Sequence, residues 1–147
     1  MVDVTTSIQI ARAVADVASY AGDPSNAPEW YANIRSIEWV TPPPLEVGSQ
    51  VRFVARFLGR TLRYTYEVTD LVPGERLVMA TSEGPFPMET TYAWASAGAG
   101  LTTMTLRNRG EPAGFSKVMT PLLAPAMRRA NTADLRRLKQ LLEQRPA

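Results

Sequence analysis

The sequence predicts an α+β fold in which a seven-stranded antiparallel sheet packs against one long C-terminal helix. Seven runs of alternating or mostly apolar residues follow one another, and most are separated by short segments rich in Gly and Pro. Strands that succeed one another through short turns pair antiparallel. From residue 115 to residue 144 the alternation stops, and the helix-favouring residues Ala, Leu, Met and Arg dominate.

The strands are assigned from alternating or mostly apolar runs, and the inward register of the second, third and fifth strands stays open. In the first, Val4, Thr6 and Ile8 alternate with their neighbours, and in the fourth Tyr64 and Tyr66 share one face. The predicted strands are residues 4–10, 34–40, 51–58, 61–71, 77–82, 86–95 and 101–109.

Two short helices are predicted between the first and second strands. Residues 12–20 have apolar side chains at helical spacing and end at Gly22, which favours a helix stop. A second short helix begins at Pro28, because proline suits the first turn of a helix.

The C-terminal helix, residues 115–144, contains Pro121 and Pro125. Proline removes one backbone hydrogen bond and clashes with the preceding turn. The apolar stripes before and after these prolines are displaced by roughly a quarter turn. We therefore expect a break or kink near residues 121–125.

Composition excludes several classes of chemistry. The chain has 147 residues, typical of one domain over residues 1–147, and it contains no Cys and no His. Thiol nucleophiles, thiolate metal sites and the usual neutral-pH general base are therefore absent. We expect no metal and no cofactor, and we assign no catalytic residue.

Charge and hydropathy bear on partners and location. Sixteen basic and fourteen acidic residues give a net charge of 16 − 14 = +2, a weak signal for nucleic acid. No apolar run approaches the ~18 residues of a membrane span, and the N-terminus lacks a signal-peptide pattern. We expect a cytoplasmic protein with no nucleic-acid partner and no membrane span.

Several segments resemble those of a known family, and together they cover nearly the whole chain. They are Asn-Ala-Pro-Glu-Trp at 26–30, Val-Gly at 47–48, the strand–turn–strand at 66–78, Glu-Gly-Pro-Phe at 83–86, and the helical segments 121–123 and 134–139. In these features the chain resembles the START/pollen-allergen superfamily. The resemblance is greatest to its bacterial polyketide cyclase/dehydrase and lipid-transport group, the SRPBCC-type proteins.

The resemblance implies a helix-grip fold, in which a curved sheet wraps around the C-terminal helix and encloses a mostly apolar cavity. The turn at 84–86 would lie near the cavity mouth. Family members bind lipids, sterols, polyketides, hormones or aromatic compounds, and some cyclise or dehydrate polyketides. The polyketide cyclases use a pocket arginine on the strand that matches residues 61–71. Val68 or Thr69 occupies the nearest position here, so that arginine is missing.

Aromatic, Met and amide side chains with inward parity are the candidates for contact with a ligand. Aromatic rings build apolar walls with a polar tip, and Met adapts to irregular partners. Ordinary core packing is the alternative for each of them. The candidate ligand-binding residues are Trp30, Tyr64, Tyr66, Met79, Phe86, Met88, Tyr92, Trp94, Met104, Asn108, Met119, Leu122 and Leu123. Asp134 and Glu143 lie among basic residues of the C-terminal helix, which predicts a solvated face.

Three functions remain open. The sequence favours non-enzymatic binding or carriage of a small hydrophobic ligand, such as a lipid, polyketide or aromatic compound. The first alternative is a cofactor-free enzyme of the polyketide cyclase/dehydrase type, with hydrogen-bond donors converging on one spot. The second is a protein-interaction accessory module, including a homodimer with an apolar interface.

Overall fold

The computed structural model describes residues 2–57, 59–83, 87–111 and 120–145. The predicted turn at 84–86 and the first residues of the predicted C-terminal helix, 115–119, lie outside these ranges. Phe86 and Met119 therefore stay predictions.

All seven predicted strands are present and form one antiparallel sheet. The strands are β1 (Val2–Ile10), β2 (Ile34–Trp39), β3 (Gln50–Phe57), β4 (Arg60–Val72), β5 (Arg76–Glu83), β6 (Met88–Gly98) and β7 (Leu101–Gly110). Their order across the sheet is β1-β7-β6-β5-β4-β3-β2, so β1 and β2 form its two edges. The predicted sheet curvature is confirmed, and register shifts between β4 and β5 and between β6 and β7 contribute, since bulges bend strands.

The turn between β4 and β5 shows how the sequence fixes a tight connection. Gly74 has φ of 77°, a left-handed conformation that glycine adopts without steric cost. Glu75 N donates to Val72 O at 2.9 Å and closes the turn. The predicted connection of these two strands is therefore confirmed.

The segment between β1 and β2 crosses from one edge of the sheet to the other. It contains α1 (Val14–Ala21), a 3-10 turn (Pro24–Asn26) and α2 (Ala27–Trp30). The start of α1 was predicted too early, because Arg12 lies outside the helix. Its guanidinium Nη2 instead donates to Glu143 O at 2.7 Å and to Arg145 O at 2.5 Å.

The C-terminal helix is α3 (Thr120–Glu143), and it is continuous. Pro125 lies inside it, so a break at this position is wrong, and a kink there stays a prediction. Proline at this position removes the hydrogen bond to Pro121 O, which is a single bond in the first two turns. The buried side chains Leu135, Leu138 and Leu142 hold the later turns against the core.

The core lies between the inner face of the sheet and the helices. Met104 and Leu106 of β7 are fully buried beside Leu138 of α3 and Trp30 of α2. Towards the start of α3, Leu123 packs with Val2, Val4 and Leu62 in a separate cluster. None of the described helices is both long enough and apolar enough to cross a membrane.

Candidate functional site

A cavity of about 120 Å³ lies between the inner face of the sheet and α3. One wall is apolar, with Phe53 and Ala55 of β3 and Leu62 of β4. Leu123 and Met127 of α3 close the opposite side. The alternation of β3 and β4 turns these side chains inward, because Ala55 and Leu62 are direct cross-strand partners.

Stacked and tilted aromatic rings form the part of the wall contributed by β3 and β4. The ring centroids of Phe53 and Tyr64 lie 5.7 Å apart in a stacked arrangement. Tyr64 meets Tyr66 edge to face at 5.1 Å. Burial raises the pKa of Tyr64 well above its ordinary value and raises that of Tyr66 to about 12. Both phenols are therefore neutral at physiological pH.

A chain of hydroxyl and amide groups crosses three strands of the cavity wall. Thr90 Oγ1 donates to Asn108 Oδ1 at 2.6 Å, and it lies 2.6 Å from Tyr66 Oη. Because threonine has only one hydroxyl proton, the Tyr66 hydroxyl is the donor to Thr90. Tyr66, Thr90 and Asn108 are all buried. The chain fixes the direction of each dipole on this wall.

A second polar pair joins Tyr31, the residue after α2, to Tyr92 of β6. The hydroxyl oxygens of Tyr31 and Tyr92 lie 2.5 Å apart. Burial raises the pKa of Tyr31, and the neighbouring Tyr92 and Asp134 raise it further. Trp30 supports the pair from behind, with its ring centroid 4.0 Å from that of Tyr31 and 5.9 Å from that of Tyr92.

The helix contributes two buried polar side chains, Asn131 and Asp134. They are 5% and 3% exposed, and both line the cavity. Asp134 Oδ1 accepts a hydrogen bond from Ala32 N at 3.0 Å. Burial raises the pKa of Asp134 to about 6, and the Ala32 bond opposes that rise. Asn131 Nδ2 is buried and has no hydrogen-bond partner in the described part of the chain.

The prediction that Asp134 is solvated is therefore wrong. The same prediction for Glu143 is correct only in part. Glu143 is half-buried and accepts hydrogen bonds from Ala11 N at 2.8 Å and Lys139 Nζ at 2.6 Å. The sequence contained the signal for Asp134. On a wheel of ~100° per residue it falls within the stripe of Leu123, Leu135 and Leu138. The many adjacent arginines concealed it.

The structure brings seven of the predicted candidates together around the cavity. These are Tyr64, Tyr66, Met79, Met88, Tyr92, Asn108 and Leu123. Tyr31, Asn131 and Asp134 also line it and were not among the candidates. Tyr31 directly follows the short α2 helix, where strand alternation could not assign its direction.

Four described candidates do not line the cavity. Trp30, Trp94 and Met104 are core residues, because they pack against the helices and neighbouring strands. Leu122 is 57% exposed on the outer side of α3. It lies one residue, and hence about 100° of helical rotation, from the inward-facing Leu123.

The cavity lining has no arginine among the described residues, as the sequence indicated for this strand. Within the described ranges, no three acidic side chains form a group suited to holding a metal ion. The arrangement offers hydrogen bonds, one buried carboxyl group and an apolar enclosure. It can orient a compact molecule by its polar atoms.

This curled sheet, with a helix closing an internal cavity, defines a helix-grip protein. A family model described as polyketide cyclase/dehydrase and lipid transport matches residues 1–143, and the chain belongs to that family. The resemblance inferred from the sequence is thereby confirmed. Among curated proteins, none matches the chain by sequence.

Solved structures show the same fold. A START superfamily protein from Mycobacterium smegmatis has a TM-score of 0.83 at 16% identity, over 97% of each chain. An aromatase/cyclase, Zhui, from a Streptomyces species has a TM-score of 0.83 at 17% identity, over 97% of this chain and 94% of that one. A Thermus thermophilus protein has a TM-score of 0.81 at 20% identity, over 96% and 97%. The predicted fold is confirmed.

Proposed function

We propose that this protein binds a small hydrophobic ligand in its internal cavity and acts as a binding or carrier protein. The observation that supports this most directly is an apolar and aromatic wall with a few polar groups at defined positions. Ligand sites in proteins have this composition, because burial supplies affinity and the polar groups supply orientation. The family description, which includes lipid transport, agrees with such a role.

The volume of the cavity limits the size of the ligand that it can hold. At about 120 Å³ it is close to the ~150 Å³ of an engineered apolar cavity that holds benzene. Ligand pockets commonly measure ~300–1,000 Å³. We therefore propose a ring-sized ligand for the enclosed space. A longer lipid or polyketide would require side chains such as Met79, Met88 and Met127 to change rotamer.

Binding of toluene, a neutral molecule that fits a ring-sized cavity, tests the proposal by ligand-observed NMR. Toluene should bind the native protein and should bind Ala55→Leu much more weakly, because leucine places a larger side chain in the cavity. Ala133→Leu is the matched control, because Ala133 is exposed on α3. Native mass spectrometry of the purified protein would report any retained ligand. Equal toluene binding by both variants, and no retained ligand, would refute internal binding.

The polyketide cyclase/dehydrase-like enzyme remains the second candidate. Tyr64, Tyr66, Tyr92 and Asn108 all line one cavity, and catalysis by hydrogen-bond donors would need such groups to converge on one spot. Asp134, with its pKa raised by burial to about 6, adds a candidate proton acceptor. Incubation with a short poly-β-keto thioester would test this, and turnover that survives Asp134→Asn would remove Asp134 from the reaction.

Two further expectations stay predictions. The described large apolar side chains with high exposure are Val40, Val47 and Leu122. A homodimer built on such surface would appear in light scattering as twice the 16.2 kDa chain mass. A cytoplasmic location, which the sequence favours, would be checked by cell fractionation.

A further inference from the structure

The inference starts from an unpartnered donor in the cavity. Asn131 lines the cavity and is 95% buried, and its Nδ2 has no hydrogen-bond partner among the described residues. An unpaired buried amide donor is unfavourable by about 1–3 kcal/mol, so most such groups in proteins have partners. A ligand atom that accepts a hydrogen bond would remove this deficit.

Asp134 provides the complementary group. It lies three residues after Asn131, so both side chains leave the same face of α3 and are neighbours. One carboxyl oxygen of Asp134 accepts from Ala32 N, and no other hydrogen bond to this carboxyl group is present among the described residues. At neutral pH the carboxyl group is mostly ionised, since its pKa of about 6 lies lower, and it then needs a donor.

We propose that the ligand is an uncharged, ring-sized apolar molecule with a hydroxyl group, which accepts a hydrogen bond from Asn131 Nδ2 and donates one to Asp134. This inference rests on the proposed ligand-binding function and specifies the ligand's polar group. A hydroxyl satisfies both side chains together, because it is at once a donor and an acceptor. A carbonyl would leave the Asp134 carboxylate without a donor, and a ligand carboxylate would be repelled by it.

The rest of the site is consistent with a neutral ligand. The nearby Tyr31 and Tyr92 hydroxyls are also neutral, since burial raises the pKa of each. No lysine or arginine lines the cavity in the described part of the chain, so no cation is available for an anionic ligand. The apolar wall opposite, with Phe53, Ala55 and Leu62, leaves space for a ring.

Two molecules that differ by one hydroxyl group provide the test. Binding of p-cresol and toluene is measured by ligand-observed NMR at pH 7.5, with 4-methylbenzoate as an anionic analogue. We expect p-cresol to bind at least about tenfold more tightly than toluene, since each hydrogen bond to a buried partner favours it. We expect 4-methylbenzoate to bind more weakly than toluene.

A variant tests how much of this preference depends on Asn131. Asn131→Leu keeps a similar volume and should reduce the p-cresol preference to within about threefold of toluene. Arg136→Gln, on the exposed side of the same helix, should leave it at the native value. The native comparison alone remains decisive if Asn131→Leu fails to fold.

The outcomes separate this inference from the proposed function. Equal affinity for p-cresol and toluene would overturn the hydroxyl assignment and leave internal ligand binding intact. If neither p-cresol nor toluene binds, the proposed function fails together with the inference.

Discussion

Asp134 is a carboxyl group held in a cavity wall, and its position should make stability depend on pH. Its pKa is about 6 in the folded protein, above the ordinary 3.8, because burial disfavours the charged form. Between these values the folded protein keeps a proton that the unfolded chain has lost. The free energy of unfolding therefore falls as pH rises from about 4 to 6, and this contribution is constant at higher pH.

We predict that Asp134→Asn removes this pH dependence. Asparagine keeps an acceptor for Ala32 N but carries no charge. The variant should gain stability relative to the native protein by about 2 kcal/mol more at pH 7.5 than at pH 4.5. Urea unfolding at both pH values measures the difference, with the exposed Glu38→Gln as control. If the free energies of unfolding of Asp134→Asn and the native protein differ by the same amount at both pH values, the raised pKa of Asp134 is contradicted.

The hydrogen-bonded chain of Tyr66, Thr90 and Asn108 allows the loss of its central group to be compared with the loss of its terminal donor. Thr90→Val removes the central hydroxyl and leaves the Tyr66 donor and the Asn108 acceptor without their partner. We expect a loss of about 2 kcal/mol. Tyr66→Phe removes only the terminal donor and should cost about 1 kcal/mol. Chemical unfolding compares the two, and a larger loss for Tyr66→Phe would show that the chain runs differently.

Sequence patterns identified much of the cavity wall on the sheet but not its polar residues on α3 and next to α2. Tyr64, Tyr66, Tyr92 and Asn108 were found because strand alternation assigns a face to each residue. Asn131 and Asp134 were missed, since the local charge pattern outweighed their helical positions. Tyr31 follows a helix too short to define a face. Its direction depends on packing against Trp30 and on the hydrogen bond with Tyr92, which is 61 residues away in sequence.

At the scale of elements, the segment after β1 holds the C-terminal end of α3. Arg12 donates to the carbonyl oxygens of Glu143 and Arg145, which lack partners within the helix. Ala11 N donates to the Glu143 carboxylate, and Lys139 Nζ donates to Gln9 O at 2.9 Å. A cation at a helix C-terminus also interacts favourably with the helix dipole.

We predict that Arg12→Met loosens the last turn of α3. The substitution keeps an apolar stem but removes both donors. The free energy of unfolding should fall by about 1 kcal/mol, and amide exchange should accelerate for residues 140–145 in particular. Arg136→Met is the control, because Arg136 is exposed and makes no hydrogen bond or ion pair among the described residues. Equal exchange rates in both variants would refute the capping role.

The elements themselves were predictable because their periods differ. Alternating or mostly apolar runs between turn residues identified the strands, and loss of that pattern after β7 identified the C-terminal helix. Two details were not predictable from local preference. Arg12 was assigned to α1 although it contacts α3, more than 130 residues away in sequence. The helix continues through Pro125 because later turns pack against the core, and packing outweighs one lost hydrogen bond.

At the scale of the whole molecule, filling the cavity with apolar atoms should increase the free energy of unfolding. We predict that Ala55→Leu, which fills part of the 120 Å³ with apolar atoms, raises the free energy of unfolding by up to about 1 kcal/mol. Ala133→Leu, on the exposed side of α3, should change it by less than about 0.5 kcal/mol. Thermal and urea unfolding measure both. A destabilised Ala55→Leu would show that the enclosed space cannot accept a larger side chain.

The strand order also determines at which stage of folding the cavity is completed. Strands β2 to β7 are sequential neighbours, whereas β1 joins β7 across roughly 100 residues of chain. Closing so long a loop is entropically unfavourable, so β1 should dock late during folding. Val4→Ala should then mainly accelerate unfolding, and Val68→Ala in β4 should mainly slow folding. Val2 and Gly110, which pair at the end of this late contact, both line the cavity. Ligand-binding capacity would therefore arise only in the final step of folding.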